Sequence, residues 1–132
     1  GIREPEIYGS VTYAQLEQFI RGCAEQMGIQ VQVKQSNHEG VLVDAIQAAY
    51  GVMDGIIINP AAYTHTSIAI LDALKAVSLP AVEVHLSNVR EREGFRQVSY
   101  AGMACFHTVM GEGIEGYRTA LQIMKEKLQN KN

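Results

Sequence analysis

The chain has 132 residues, of which 47% are hydrophobic and 19% charged, the proportions of one ordinary globular domain with a real core. Its net charge of −3 leaves no basic footprint for nucleic acid and no basic amphipathic helix for a membrane surface. No apolar run approaches the roughly 20 residues a bilayer requires. Cys23 and Cys105 lie far apart and outside any metal spacing, so two unreactive thiols in a reducing, cytoplasmic setting are expected.

The first ten residues, Gly1 to Ser10, have no period and contain Pro5 and two glycines, which predicts a loop. Thr12 with Gln15 three residues on is a capping-box signature. Tyr13, Leu16, Phe19, Ile20, Cys23 and Met27 then recur at helical spacing, and Gly28 stops the run. From Ile29 to Gln35 the alternation has period two and predicts a strand. After a polar turn, Ser36 to Gly40, a second helix carries Leu42, Ala45, Ile46, Ala49 and Tyr50 on one side. Ile56-Ile57-Ile58 reads as a strand buried on both faces. A third helix, about Ser67 to Val77, is apolar almost all round, interrupted by Asp72 and Lys75. Such a helix is buried on every side, and one small domain cannot do that alone, so contact with another subunit is expected.

The next stretch, Ala81 to Asn88, predicts a strand in which Val82, Val84 and Leu86 alternate with Glu83 and His85. The carboxylate and imidazole then share a face, where the first can orient the second and hold its proton. An edge strand with a solvated polar face is the other reading. A charged segment, Asn88 to Arg96, precedes a last strand ending near Met110 and a last helix from about Gly113 to Leu128. Helix and strand alternate, so the fold class is α/β with a parallel sheet and helices on both faces.

In open α/β sheets, ligands bind beyond the carboxyl ends of the strands. Polar residues gather there: SNHEG, NPAAYTHTS and HLSNVRERE, with His38, His65, His85, Asn59, Arg92 and Arg96 among them. The opposite connections are short and nearly free of chemistry. His65 could also be a cap of the third helix. Asp72 suits either a salt bridge to a neighbouring subunit or a share in a site built at that contact. Arg90, Arg92 and Arg96 with Glu91 and Glu93 form either a solvated charge run or a carboxylate-recognising cluster. His38 reads as a turn residue and His107 as part of the last strand.

Other motifs fail. Gly111 to Gly116 matches G-x-G-x-x-G, but its two glutamates would face a pyrophosphate and no acidic ribose partner follows. It reads as a tight turn. The histidines lack metal spacing, no Ser sits in a nucleophile elbow, and Asn59 stands where a phosphoacceptor module would need Asp.

With these residues in hand, the chain resembles the type II 3-dehydroquinate dehydratases. The matching segments are REPEIYG near the start, QSNHEG, NPAAYTHTS, EVHLSN with REGFR after it, and the final strand-turn-helix, in family order over essentially the whole chain. The resemblance implies a flavodoxin-like three-layer sandwich with sheet order 2-1-3-4-5, a cofactor-free reaction, and a dodecamer of trimers. The implied reaction is reversible anti elimination of water from 3-dehydroquinate, giving 3-dehydroshikimate through an enolate. By that resemblance Tyr8 is the base, and Arg3 stabilises the tyrosinate. His85 protonates the departing hydroxyl and Glu83 orients it. Asn59, His65 and Arg96 hold the substrate's polar groups, and the backbone amides of Leu86 and Ser87 receive its carboxylate. Asp72 reaches in from a neighbouring subunit. A free Tyr has a pKa near 10, so a base near neutrality needs nearby guanidinium groups; Arg3 and Arg92 qualify.

One departure stands out. The family begins with a strand and an Asn-containing loop ahead of the arginine segment, and neither is present in these 132 residues. That strand would be internal to the sheet, so its loss would leave backbone ladders unpaired. The sequence is therefore expected to be an incomplete copy of the domain. A non-catalytic flavodoxin-like module that assembles through its third helix is the alternative to an enzyme.

Overall fold

A computed structural model describes residues 6–8 (backbone), 11–60, 67–87 and 99–130. Its elements in chain order are β1 (Glu6–Tyr8), β2 (Val11–Thr12), α1 (Tyr13–Met27), α2 (Glu39–Ala49), β3 (Ile56–Ile58), α3 (Ile68–Val77) and β4 (Ala81–His85). A 3-10 turn (Ala101–Ala104), β5 (His107–Met110) and α4 (Glu115–Gln129) complete the set.

Local chemistry accounts for most boundaries. At the start of α1, the Thr12 hydroxyl accepts from the Gln15 amide at 3.2 Å and the Gln15 side chain accepts from the Thr12 amide at 2.9 Å, the reciprocal capping box expected of that sequence. Gly28 ends the helix at φ 73°, in the left-handed region where a side chain is penalised. In α3, the Ser67 hydroxyl caps the Ile70 amide at 3.0 Å.

β3, β4 and β5 form a parallel sheet in that order, with β4 in the middle. Ile56 pairs with Ala81 and Ile58 with Glu83; Glu83 pairs with Thr108 and His85 with Met110. The pleat sends alternate residues to opposite faces. Ile56, Ile58 and Ala81 pack with Ile46 of α2 and Ile70, Leu74 and Val77 of α3. On the other face, Val82, Val84 and Val109 pack against Ala120 and Met124 of α4. Leu121 of α4 meets Cys23 and Ala24 of α1, with Ile57 packed against them. The result is the three-layer α/β/α arrangement expected, and β3-β4-β5 reproduces the 3-4-5 portion of the flavodoxin-like order. Gly116 brings α4 close to the sheet: a Cβ there would lie 3.3 Å from Val84 Cγ1 and 3.4 Å from Val109 Cγ1.

Three sequence expectations need correction. Residues 29–35 do not form a strand. Their alternation survives, with Ile29, Val31 and Val33 half-buried and Gln30, Gln32 and Lys34 exposed. A strand also needs a neighbour that offers its backbone groups, and among the described residues this segment has none. Within the presumed loop at the start, Glu6–Tyr8 pairs antiparallel with Val11–Thr12; a pair this short carries too few residues for a period to be read. The strand from Ala81 stops at His85 and bends at Leu86 and Ser87. As the sequence reading expects of one small domain, α3 is not covered all round within its own chain. Ile70, Leu71, Ala73, Leu74 and Val77 are buried, but Ile68, Ala69, Asp72 and Ala76 remain exposed.

Candidate active site

β4 decides the position of the candidate chemistry. Because it is the central strand, every residue from Ala81 to His85 is buried, which removes the reading of an edge strand with a solvated face. Glu83 is 1% exposed and His85 5%, and both project toward the α2/α3 face, opposite Val82 and Val84. His85 is the last residue of the strand, at the carboxyl end of the sheet where ligands enter α/β folds.

His85 Nε2 lies 3.2 Å from Glu83 Oε1. The two groups are close but not aligned as a hydrogen bond, and among the described residues Nε2 has no well-directed partner despite its burial. Glu83 is better served. Its Oε2 accepts from the Ser99 hydroxyl, and its Oε1 accepts from Thr108 Oγ1 at 3.3 Å. Burial is the largest single influence on this carboxyl and pushes its pKa upward. The contacts with His85, Ser99 and Thr108 together outweigh it and leave the pKa below the ordinary value. Glu83 is thus an ionised carboxylate beside an imidazole, an arrangement in which the carboxylate can orient the ring for proton transfer.

The surroundings of this pair are fixed by backbone contacts. The Gly111 amide donates to the His85 carbonyl at 3.2 Å and the Gly113 amide to the Leu86 carbonyl at 3.0 Å. The Gly111–Gly116 segment is therefore the tight turn expected, with Gly111 at φ 79° and Gly113 at φ 60°. It ties the end of β4 to the start of α4. Leu86 is buried and Ser87 half-buried at the same end.

Asn59 follows β3 and is half-buried. Its side chain engages the Tyr117 hydroxyl of α4, whose pKa burial raises and this contact lowers. Asp72 lies on the exposed side of α3, the side on which the sequence reading expects a partner from another subunit. His38 precedes α2 at its N-cap position and His107 opens β5, both exposed, as read from sequence. Arg3, His65, Arg92 and Arg96, together with the Tyr8 side chain, lie outside the described residues.

Sequence reasoning missed Ser99 and Thr108. Thr108 had a signal, because β5 lies beside β4 and Thr108 falls directly opposite Glu83. Ser99 comes from irregular chain and had none.

An open parallel α/β domain with an ionised acid-imidazole pair at the carboxyl end of its middle strand belongs to the class of cleft enzymes that move protons with side chains. The family model for class II dehydroquinases matches residues 1–125. The chain is 48% identical over 128 residues to a 3-dehydroquinate dehydratase of Clostridium acetobutylicum, covering 97% of this chain and 89% of that protein. It is 51% identical over 122 residues to a catabolic 3-dehydroquinase of Aspergillus terreus, covering 92% and 80%. The crystal structure of type II dehydroquinase from Butyrivibrio crossotus superposes with a TM-score of 0.87 at 46% identity, covering 94% of this chain and 87% of that one. The chain belongs to the class II dehydroquinase family.

Proposed function

We propose that this chain works as a 3-dehydroquinate dehydratase through acid-base catalysis divided between Tyr8 and His85. It is a hydro-lyase, and its reaction is the reversible anti elimination of water from 3-dehydroquinate to 3-dehydroshikimate in shikimate or quinate metabolism. The single observation that carries the mechanism is the buried Glu83–His85 pair at the end of β4. An imidazolium held by an ionised carboxylate is an acid for the departing hydroxyl. Its counterpart is a base that removes the proton next to the ketone, and that base is Tyr8, with Arg3 and Arg92 lowering its pKa and stabilising the enolate. Asn59, His65 and Arg96 bind the substrate's hydroxyl and carbonyl groups, and the amides of Leu86 and Ser87, just past β4, bind its carboxylate. No metal or cofactor takes part in this scheme.

The reading extends to assembly. The exposed Ile68, Ala69, Asp72 and Ala76 of α3 support a subunit contact there, in a dodecamer of trimers whose neighbouring Asp72 completes each site. The free thiols Cys23 and Cys105 are compatible with a reducing cytoplasm.

The test is the ultraviolet absorbance of the conjugated enone after 3-dehydroquinate is added to the full-length protein. Wild type should raise it, whereas Tyr8→Phe and His85→Ala should lower kcat by at least about 100-fold, the usual scale of a general acid or base. Unchanged turnover in Tyr8→Phe would remove tyrosine from the base role. The buried, hydrogen-bonded carboxylate favours an enzyme over a non-catalytic module, since a scaffold has no use for a charge so costly to bury.

A further inference from the structure

The Glu83 carboxylate is gripped at both oxygens, and the two grips differ. Oε1 faces His85 Nε2 at 3.2 Å and Thr108 Oγ1 at 3.3 Å. Oε2 is held by Ser99 alone among the described residues. The Ser99 oxygen in turn accepts from the Gly102 amide at 2.9 Å. That bond occupies the acceptor side of the hydroxyl and directs its proton at the carboxylate. The backbone is fitted tightly here: a Cβ on Gly102 would fall 2.9 Å from both Glu83 Oε1 and Ser99 Oγ.

We propose that Ser99, braced by the Gly102 amide, is a positioning residue for the acid half of the site. It holds the Glu83 carboxylate ionised and turned so that Oε1 faces His85. The proposal rests on the dehydratase reading given above, and it adds a residue that touches neither substrate nor reacting atoms. Among the described residues, the other groups around Glu83 are few. β4 contributes His85 and β5 contributes Thr108. Cys105, after the 3-10 turn, is close enough for the Glu83 charge to raise its pKa and gives its own proton to the Ala101 carbonyl at 3.3 Å. β3 places Ile58 opposite Glu83, and α4 lies on the other face of the sheet. Loss of Ser99 leaves Oε2 buried without a donor among the described residues.

The consequence has a sign. A buried carboxylate that loses a donor holds its proton to higher pH. Catalysis needs Glu83 ionised, so activity falls away as pH drops through the Glu83 pKa, and in Ser99→Ala that acid limb moves to higher pH. Loss of a hydrogen bond to a charged group predicts a kcat lower by about 10- to 100-fold, with KM little changed because Ser99 does not contact substrate. Ser99→Thr, which keeps the hydroxyl, should recover most of the rate. The position of the limb does not depend on how much of the variant folds.

A second readout is independent of turnover. The carbon-13 shift of the Glu83 carboxyl, followed against pH, should titrate higher in Ser99→Ala than in wild type. An unmoved Glu83 titration, an acid limb at the wild-type position, or a Ser99→Thr variant as slow as Ser99→Ala would each overturn the assignment. A wild type that fails to turn over dehydroquinate while the Glu83 titration still moves would instead reject the dehydratase reading and leave the positioning role standing.

Discussion

Glu83 governs its neighbours as well as itself. Charge in a dry interior acts over several ångströms because little solvent screens it. The Cys105 thiol shows the effect: burial first, and the Glu83 charge second, push its pKa up to about 12. Thiolate is the reactive form, so Cys105 is protected by the same carboxylate that serves His85. Peptide mapping after brief maleimide treatment at mildly alkaline pH should find Cys105 unlabelled in the native protein and fully labelled in denaturant. Rapid native labelling would mean that the segment around the 3-10 turn opens easily.

At the scale of elements, each helix is stabilised where the sequence can supply its own end groups. α1 has reciprocal capping at Thr12 and Gln15 and a left-handed glycine at its end. α2 has no side-chain cap at His38, which makes its first turn more dependent on the packing of Ile46 and Leu42. Thr12→Ala removes one hydrogen bond of the box and should lower stability by about 1 kcal/mol, measured as a lower denaturant midpoint at unchanged slope. The same substitution should leave turnover intact, since α1 packs through Cys23 and Ala24 on α4 and contributes nothing to the Glu83–His85 pair.

The whole molecule joins these parts through one sheet. Its two faces divide the labour: α4 covers Val82 and Val84 and α1 packs on α4 and Ile57, while the face of Glu83 and His85 is shared with α2, α3 and Ser99. α3 leaves part of its surface uncovered. Ile68 is 56% exposed, and Ala69, Asp72, Lys75 and Ala76 are exposed with it, a surface that mixes apolar side chains with one carboxylate and one ammonium. Sedimentation of the wild type should give a multimer, and Ile68→Asp should shift it toward smaller species and lower kcat as Asp72 is withdrawn from the neighbouring site. A fully active wild-type monomer would count against any subunit contribution.

What the sequence alone determined was whatever is encoded within a few residues. The α1 boundaries follow from Thr12, Gln15 and Gly28, because caps act over three or four positions. The Ile56–Ile58 strand follows from an unbroken β-branched run, and the shared face of Glu83 and His85 from period-two alternation. The motifs spread along the chain also carried the family. The tertiary structure decided everything that depends on a distant neighbour. Residues 29–35 have the alternation of a strand but no adjacent ladder among the described residues, and they form no strand. β4 became a central strand rather than an edge one only through β3 and β5 on its two sides. Ser99, 16 positions from Glu83, joins the site through chain with no periodic signal. Backbone pairing and the burial of charge are settled by whichever groups fold alongside, and local sequence does not name them.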